Sequence, residues 1–149
     1  MKAKRVSVRD HHEEDYILDR QVGFVLRLAQ QRHTTIFASL MIESLTPTQW
    51  AALAKLKEIG PSSQNLLGRL TAMDAATIKG VIDRLSKRGF TRTRPDPTDA
   101  RRLLVALTER GAALYERGRP IAARITEETL APLNEHERAE LFALLERLA

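Results

Sequence analysis

Cysteine is absent from the chain. That absence excludes disulfides, thiolate metal sites, cysteine nucleophiles and sensing through thiol oxidation. Long apolar runs are missing as well. None approaches the length of a membrane span, and residues 1–15 lack the apolar block of a signal peptide. The expectation is a cytoplasmic protein with no membrane partner. Catalytic signatures are also lacking: there is no G-x-S-x-G, no phosphate-cradling glycine loop and no metal-protease helix motif. The chain therefore reads as a non-enzyme, with no cofactor and no metal. His11-His12-Glu13-Glu14 comes nearest to a ligand cluster, but adjacent residues in one arm rarely converge on a single ion.

What remains is an ordinary globular composition, 43% apolar and 29% charged over 149 residues. That length suits one domain with a real core. Residues 1–14 show no sustained periodicity and read as a mobile arm, leaving residues 15–149 as the domain.

From Tyr16 to about Glu43 there is no proline and one glycine. Apolar residues there recur at helical spacing, which predicts one long amphipathic helix. A helix of that length outgrows what a small domain covers, so an interface between chains is expected. Thr46-Pro47-Thr48-Gln49 is a helix start, with Thr46 as cap, Pro47 in the first turn and Gln49 completing a capping box. Gly60-Pro61 stops that helix. Ser62 or Ser63 caps a short helix ending near Leu70, and Asp74 caps another that closes at Gly89. Two short helices joined by residues 71–74 have helix-turn-helix form.

Phe90–Arg94 and Leu103–Leu107 flank the turn-forming stretch Pro95-Asp96-Pro97-Thr98-Asp99, so they predict a β-hairpin with a long basic tip. Thr108 caps a long helix to about Leu130, bent at Pro120, and Asn134 with Glu137 opens a last one. The fold class expected is mainly α with a small β-hairpin wing. Residues 46–107 form the winged helix-turn-helix, flanked by dimerisation helices over 15–44 and 109–149.

The net charge of +5 has a location. Residues 79–102 hold eight cations against three carboxylates, and the remaining 125 residues sum to zero. The excess lies on the second short helix and the hairpin, the elements of a winged helix that meet DNA. Thr77 and Lys79 stand near the N-terminal end of that helix, where side chains reach base edges. Arg84, Lys87 and Arg88 follow as phosphate contacts. At the tip, an Asp99–Arg pair braces the hairpin while Arg101 or Arg102 enters a minor groove. Double-stranded DNA is the partner these residues predict.

The segments LTPTQWAALAKL and MDAATIKGVIDRLSKRGFTRTRPDPTDARRLLVALTERG resemble the multiple antibiotic resistance regulator (MarR) family of winged-helix transcription factors. The resemblance spans about Tyr16 to Ala149. It implies a homodimer on a pseudo-palindromic operator, and a small aromatic acid or phenol that releases it. The long first helix is most similar to repressors of aromatic catabolism, the nicotinate branch among them. Ala75 and Ala76 depart from the polar residues many members carry, which shifts base reading toward Thr77, Lys79 and the wing. Gly80 costs its helix about 1 kcal/mol relative to alanine; it serves a close approach or is a tolerated substitution.

Candidate effector residues are His33, Trp50, Arg20, Arg27 and Tyr115. His33 interrupts an apolar stripe and reads as a ligand contact or a satisfied interface residue. Trp50, the only tryptophan, stacks on an aromatic ligand or fills the core. Arg20 and Arg27 offer a counter-charge or are simply solvated. Tyr115 offers a phenolic hydroxyl. Tyr16, Leu18, Leu141, Leu144 and Leu145 read as dimer-interface packing. The leading expectation is a ligand-responsive dimeric repressor. The alternative is a DNA-binding protein of the same fold without a sensor, controlled by abundance or a protein partner.

Overall fold

The computed structural model describes residues 16–149. The arm expected over residues 1–14, with its His-His-Glu-Glu run, lies outside the described residues. Two compact units make up the chain, Met1–Arg32 and His33–Ala149.

In the described part of the first unit, a 3-10 turn at Leu18–Arg20 precedes helix α1, Val22–Leu40, whose C-terminal turns belong to the second unit. The expected single helix from Tyr16 is therefore broken. Gln21 is extended, with φ −88° and ψ 130°, and its side-chain amide donates to the Ile17 carbonyl at 3.0 Å. The side chain thus takes the carbonyl that a continuous helix would give to the Gln21 backbone N–H. Val22, Val25, Leu26 and Leu28 are all exposed.

The second unit continues with α2 (Pro47–Ile59), α3 (Gln64–Leu70), α4 (Ala75–Lys87), β1 (Thr91–Pro95), β2 (Leu103–Leu107), α5 (Glu109–Leu130) and α6 (Glu135–Glu146). Helix α1 ends earlier than expected, because Met41 is extended and Glu43 and Ser44 have φ of 56° and 51°. This break turns both Met41 and Leu45 into the core, where they are 8% and 3% exposed. Core burial of two large side chains outweighs helix continuation there.

The predicted caps form. The Thr46 hydroxyl accepts the Gln49 N–H at 3.2 Å, while the Gln49 side chain accepts the Thr46 N–H at 3.1 Å. Ser63 caps α3, Thr108 caps α5, and Asn134 with Glu137 makes a second capping box. Helix α5 runs through Pro120 without a break in its helical span. Leu53, Leu67, Ile78, Leu85 and Leu114 are fully buried, so α2 to α5 share one core.

Helices α3 and α4 are separated by residues 71–74, as the spacing predicts. The turn is made by Ala72 at φ 54° and by the Met73 N–H donating to the Gly68 carbonyl at 2.8 Å. A side chain at Gly68 would begin 3.1 Å from both Ile78 and the Met73 carbonyl, so glycine lets the two helices close on each other. The hairpin is antiparallel, with Thr91 opposite Leu107 and Pro95 opposite Leu103. Ser62 adds a bridge to Val105 through two backbone hydrogen bonds, 3.0 and 2.8 Å, and so ties the hairpin to the α2–α3 connection.

Candidate functional site

Helix α4 is amphipathic along its whole length. Ile78, Val81, Ile82 and Leu85 are buried, while Ala75, Ala76, Thr77, Lys79, Asp83, Arg84 and Lys87 lie toward solvent. Asp74 opens it by accepting the Thr77 N–H at 2.7 Å. That bond and a second from the Thr77 hydroxyl hold the Asp74 carboxyl below its ordinary value of 3.8. Thr77 itself is exposed in the first turn of the helix.

The eight cations of the basic segment do not share one fate. Lys79 pairs with Asp83 one turn on, at 2.8 Å, with both side chains well exposed. Such a pair contributes about 0.3–0.5 kcal/mol, which does little to hold the ammonium from another anion. Arg88, expected as a phosphate contact, is half-buried and turned inward. Its guanidinium turns toward the α1–α2 connector and donates to the Glu43 carbonyl at 2.7 Å, while lying over the Phe90 ring at 4.9 Å. Among the described residues, Arg84, Lys87, Arg92, Arg94, Arg101 and Arg102 enter no ion pair.

The hairpin tip is braced through the backbone. Asp99 accepts the backbone N–H of Arg101 at 3.0 Å, so the carboxylate holds the turn and leaves both guanidinium groups exposed. Asp96 plays the companion role, accepting the Thr98 N–H at 2.9 Å and its hydroxyl at 2.8 Å. Those bonds, with the charge of Arg102 beside them, keep its carboxyl below the ordinary value. Arg101 and Arg102 line a cleft of about 520 Å³ together with Ser63, Gln64, Asn65 and Arg69. Arg69 lies outside the basic run, so the charge pattern of the sequence does not mark it. Arg92 and Arg94 line a different cleft, of about 280 Å³, with Lys57 and Pro61.

Within the second unit, His33 and the Trp50–Tyr115 pair lie at different places along α5. His33 is half-buried and its Nδ1 lies 2.9 Å from the Thr129 hydroxyl. Trp50 stacks on Tyr115 with ring centroids 5.3 Å apart and planes 9° from parallel. A side chain at Gly118 would begin 2.5 Å from the Trp50 ring, so the indole is packed against bare α5 backbone. Tyr115 and Thr129 are fourteen residues apart on α5, about 21 Å at 1.5 Å per residue. One small molecule spans no such distance. Arg20 and Arg27 are exposed in the first unit.

Of the interface candidates, Tyr16, Leu18, Leu144 and Leu145 are exposed, at 75%, 53%, 48% and 40%, and Leu141 is half-buried. Phe142 and Leu148 are exposed too. Among the described residues no group of three side chains is placed to hold a metal ion, and no helix is long and apolar enough to cross a membrane.

A capped helix-turn-helix followed by a two-stranded hairpin defines a winged helix-turn-helix DNA-binding protein. A family model described as the MarR family matches residues 45–103, which span α2, α3, α4 and most of the hairpin. The chain is 42% identical over 134 residues to the HTH-type transcriptional repressor NicR of Pseudomonas putida, covering 89% of this chain and 85% of that one. It belongs to the MarR family of winged-helix transcription regulators, which are not enzymes. Among solved structures it is similar to BpsR of Bordetella bronchiseptica, whose DNA binding is regulated by 6-hydroxynicotinic acid. The TM-score is 0.86, with 39% identity over 90% of this chain and 96% of that one. It is also similar to the PcaV transcriptional regulator of Streptomyces coelicolor in complex with its natural ligand. There the TM-score is 0.84, with 32% identity over 90% and 95% of the two chains.

Proposed function

We infer that this protein is a homodimeric repressor acting in the cytoplasm, which binds a pseudo-palindromic operator and leaves it when a small aromatic acid binds. The observation that carries the DNA reading is the exposed face of α4, with Thr77, Lys79, Arg84 and Lys87 outward, beside a backbone-braced wing tip whose Arg101 and Arg102 are exposed and in no ion pair among the described residues. Dimerisation is supported by the exposed apolar side chains of α6, Phe142, Leu144 and Leu145, and separately by those of the first unit. In a two-fold dimer the paired α4 helices enter successive major grooves, one helical turn apart.

The effector reading rests on His33 rather than on Trp50 and Tyr115. The two aromatic rings are spent on each other, whereas the His33 Nε2 has no hydrogen-bond partner among the described residues. A carboxylate or ring hydroxyl of an aromatic acid suits that nitrogen. The relatives BpsR and PcaV support the ligand class.

Hydroxyl-radical footprinting on a duplex selected from a random pool by the full-length protein tests this reading. Two protected half-sites centred about one helical turn, 10–10.5 bp, apart are expected. Uniform protection along the duplex would contradict an operator-binding dimer. If the footprint forms but no aromatic acid of a broad panel, 6-hydroxynicotinic acid included, weakens it, the sensor-free alternative stands.

A further inference from the structure

The α1–α2 connector contains two consecutive left-handed residues, Glu43 and Ser44, neither of them glycine. Non-glycine residues avoid that region because Cβ crowds the backbone, so the surrounding structure must impose it. What surrounds Glu43 is cationic. Its carbonyl accepts from the Arg88 guanidinium at 2.7 Å. Its carboxylate lies 3.6 Å from the same guanidinium and 3.2 Å from that of Arg117 on α5. Arg88 is the C-terminal cap residue of α4, and its guanidinium also covers one side of the buried Phe90 ring at the entrance to the wing.

We propose that Glu43 and Arg88 are positioning residues for operator recognition: through them the α1–α2 connector fixes the C-terminal end of the recognition helix and the root of the wing against α5. Neither touches DNA. The proposal rests on the DNA-binding reading above. It reassigns a cation that a charge inventory places on the phosphate backbone. A carbonyl, a carboxylate and an aromatic face together suit the planar fork of arginine, and no lysine reproduces that set. The latch spans three elements, so its loss lets α4 and the wing shift together. Bidentate base contacts are intolerant of such a shift, whereas phosphate contacts accommodate it.

The consequences have signs that separate this role from plain electrostatics. Deleting a carboxylate from a DNA-binding face tightens DNA binding, since one repulsion is gone; deleting a latch weakens selective binding. Anisotropy titrations of the full-length dimer, on the selected duplex and on the same duplex scrambled, measure both. Glu43→Ala is expected to weaken the selected duplex by about threefold, an exposed pair being worth up to about 1 kcal/mol, without weakening the scrambled one. Arg88→Ala is expected to weaken the selected duplex by about tenfold or more, with the slope of log affinity against log salt unchanged. Arg88→Lys is expected to behave as Arg88→Ala, and serves in its place should the alanine variant not fold.

A cation bound to phosphate gives the opposite pattern. Its removal would flatten the salt slope by about 0.9 for each phosphate no longer neutralised, weaken both duplexes alike, and be rescued by lysine. That pattern, or tighter binding of both duplexes by Glu43→Ala, overturns the proposal while leaving the DNA reading intact. A wild-type protein that does not distinguish the two duplexes overturns both.

Discussion

His33 Nδ1 and the Thr129 hydroxyl stand 2.9 Å apart, across residues separated by 96 positions in the chain. The bond orients the imidazole and commits one ring nitrogen, leaving Nε2 for a second partner. Trp50 on α2 and Tyr115, nearer the start of α5, stack on each other instead. Replacing His33 by alanine is therefore expected to abolish the rise in melting temperature that an aromatic acid produces, because only binding to the folded form raises it. Trp50→Phe should keep that rise at a lower starting temperature. A ligand response that survives His33→Ala and is lost in Trp50→Phe would move the effector site to the aromatic pair.

Gly80 lies on the outward side of α4, one turn before Arg84. Among the described residues, a side chain there would meet only the Arg84 guanidinium, at 3.3 Å. No internal packing requires glycine, so Gly80→Ala should stabilise the protein by about 1 kcal/mol through helix propensity. The added methyl group faces the groove, and operator affinity is expected to fall. Denaturant melts and anisotropy titrations read the two effects separately. Higher stability with undiminished operator affinity would show that DNA makes no close approach at this position.

Asp74 caps the recognition helix through a carboxyl held below its ordinary value of 3.8 by the Thr77 N–H and hydroxyl. A carboxyl lowered in the native state binds its proton more weakly there than in the unfolded chain. Its contribution is complete above the ordinary value and is lost as pH falls through the lowered native one. Asp74→Ser supplies a cap with no proton to gain. The stability difference between wild type and Asp74→Ser should therefore drift in favour of the variant as pH falls below 3.8. A difference that stays constant through that range would remove the carboxylate charge from the cap.

Arg101 is exposed at the wing tip and unpaired among the described residues. Arg101→Ala is expected to weaken binding to selected and scrambled duplexes alike, and to flatten the salt dependence by about 0.9 for each phosphate that the guanidinium neutralises. An unchanged slope would take Arg101 off the DNA.

Much of this architecture is legible in the sequence, because the caps are local chemistry. Thr46, Asp74, Thr108 and Asn134 each bond to an N–H three residues ahead, so the residue type and the spacing carry the information. The hairpin is legible for the same reason, its turn formers standing between an alternating run and an apolar one. The break of α1 at Met41 is not, since it follows from where Met41 and Leu45 find a core built largely by later helices. Arg88 is the sharpest case. Its charge is visible, but its destination is a carbonyl 45 residues earlier that becomes available only once Glu43 turns left-handed. The pairing of Trp50 with Tyr115 is likewise tertiary, and it depends on a glycine at 118 that carries no signal by itself.

The most direct test of the account is the ratio of affinities of the wild-type protein for the selected duplex and for its scrambled counterpart, measured by anisotropy at physiological salt. Reading by α4 with a braced wing predicts a preference of about a thousandfold or more, with a salt slope on the scrambled duplex that reflects the unpaired arginines. Equal affinity for the two duplexes would contradict a sequence-reading regulator, whatever the strength of binding.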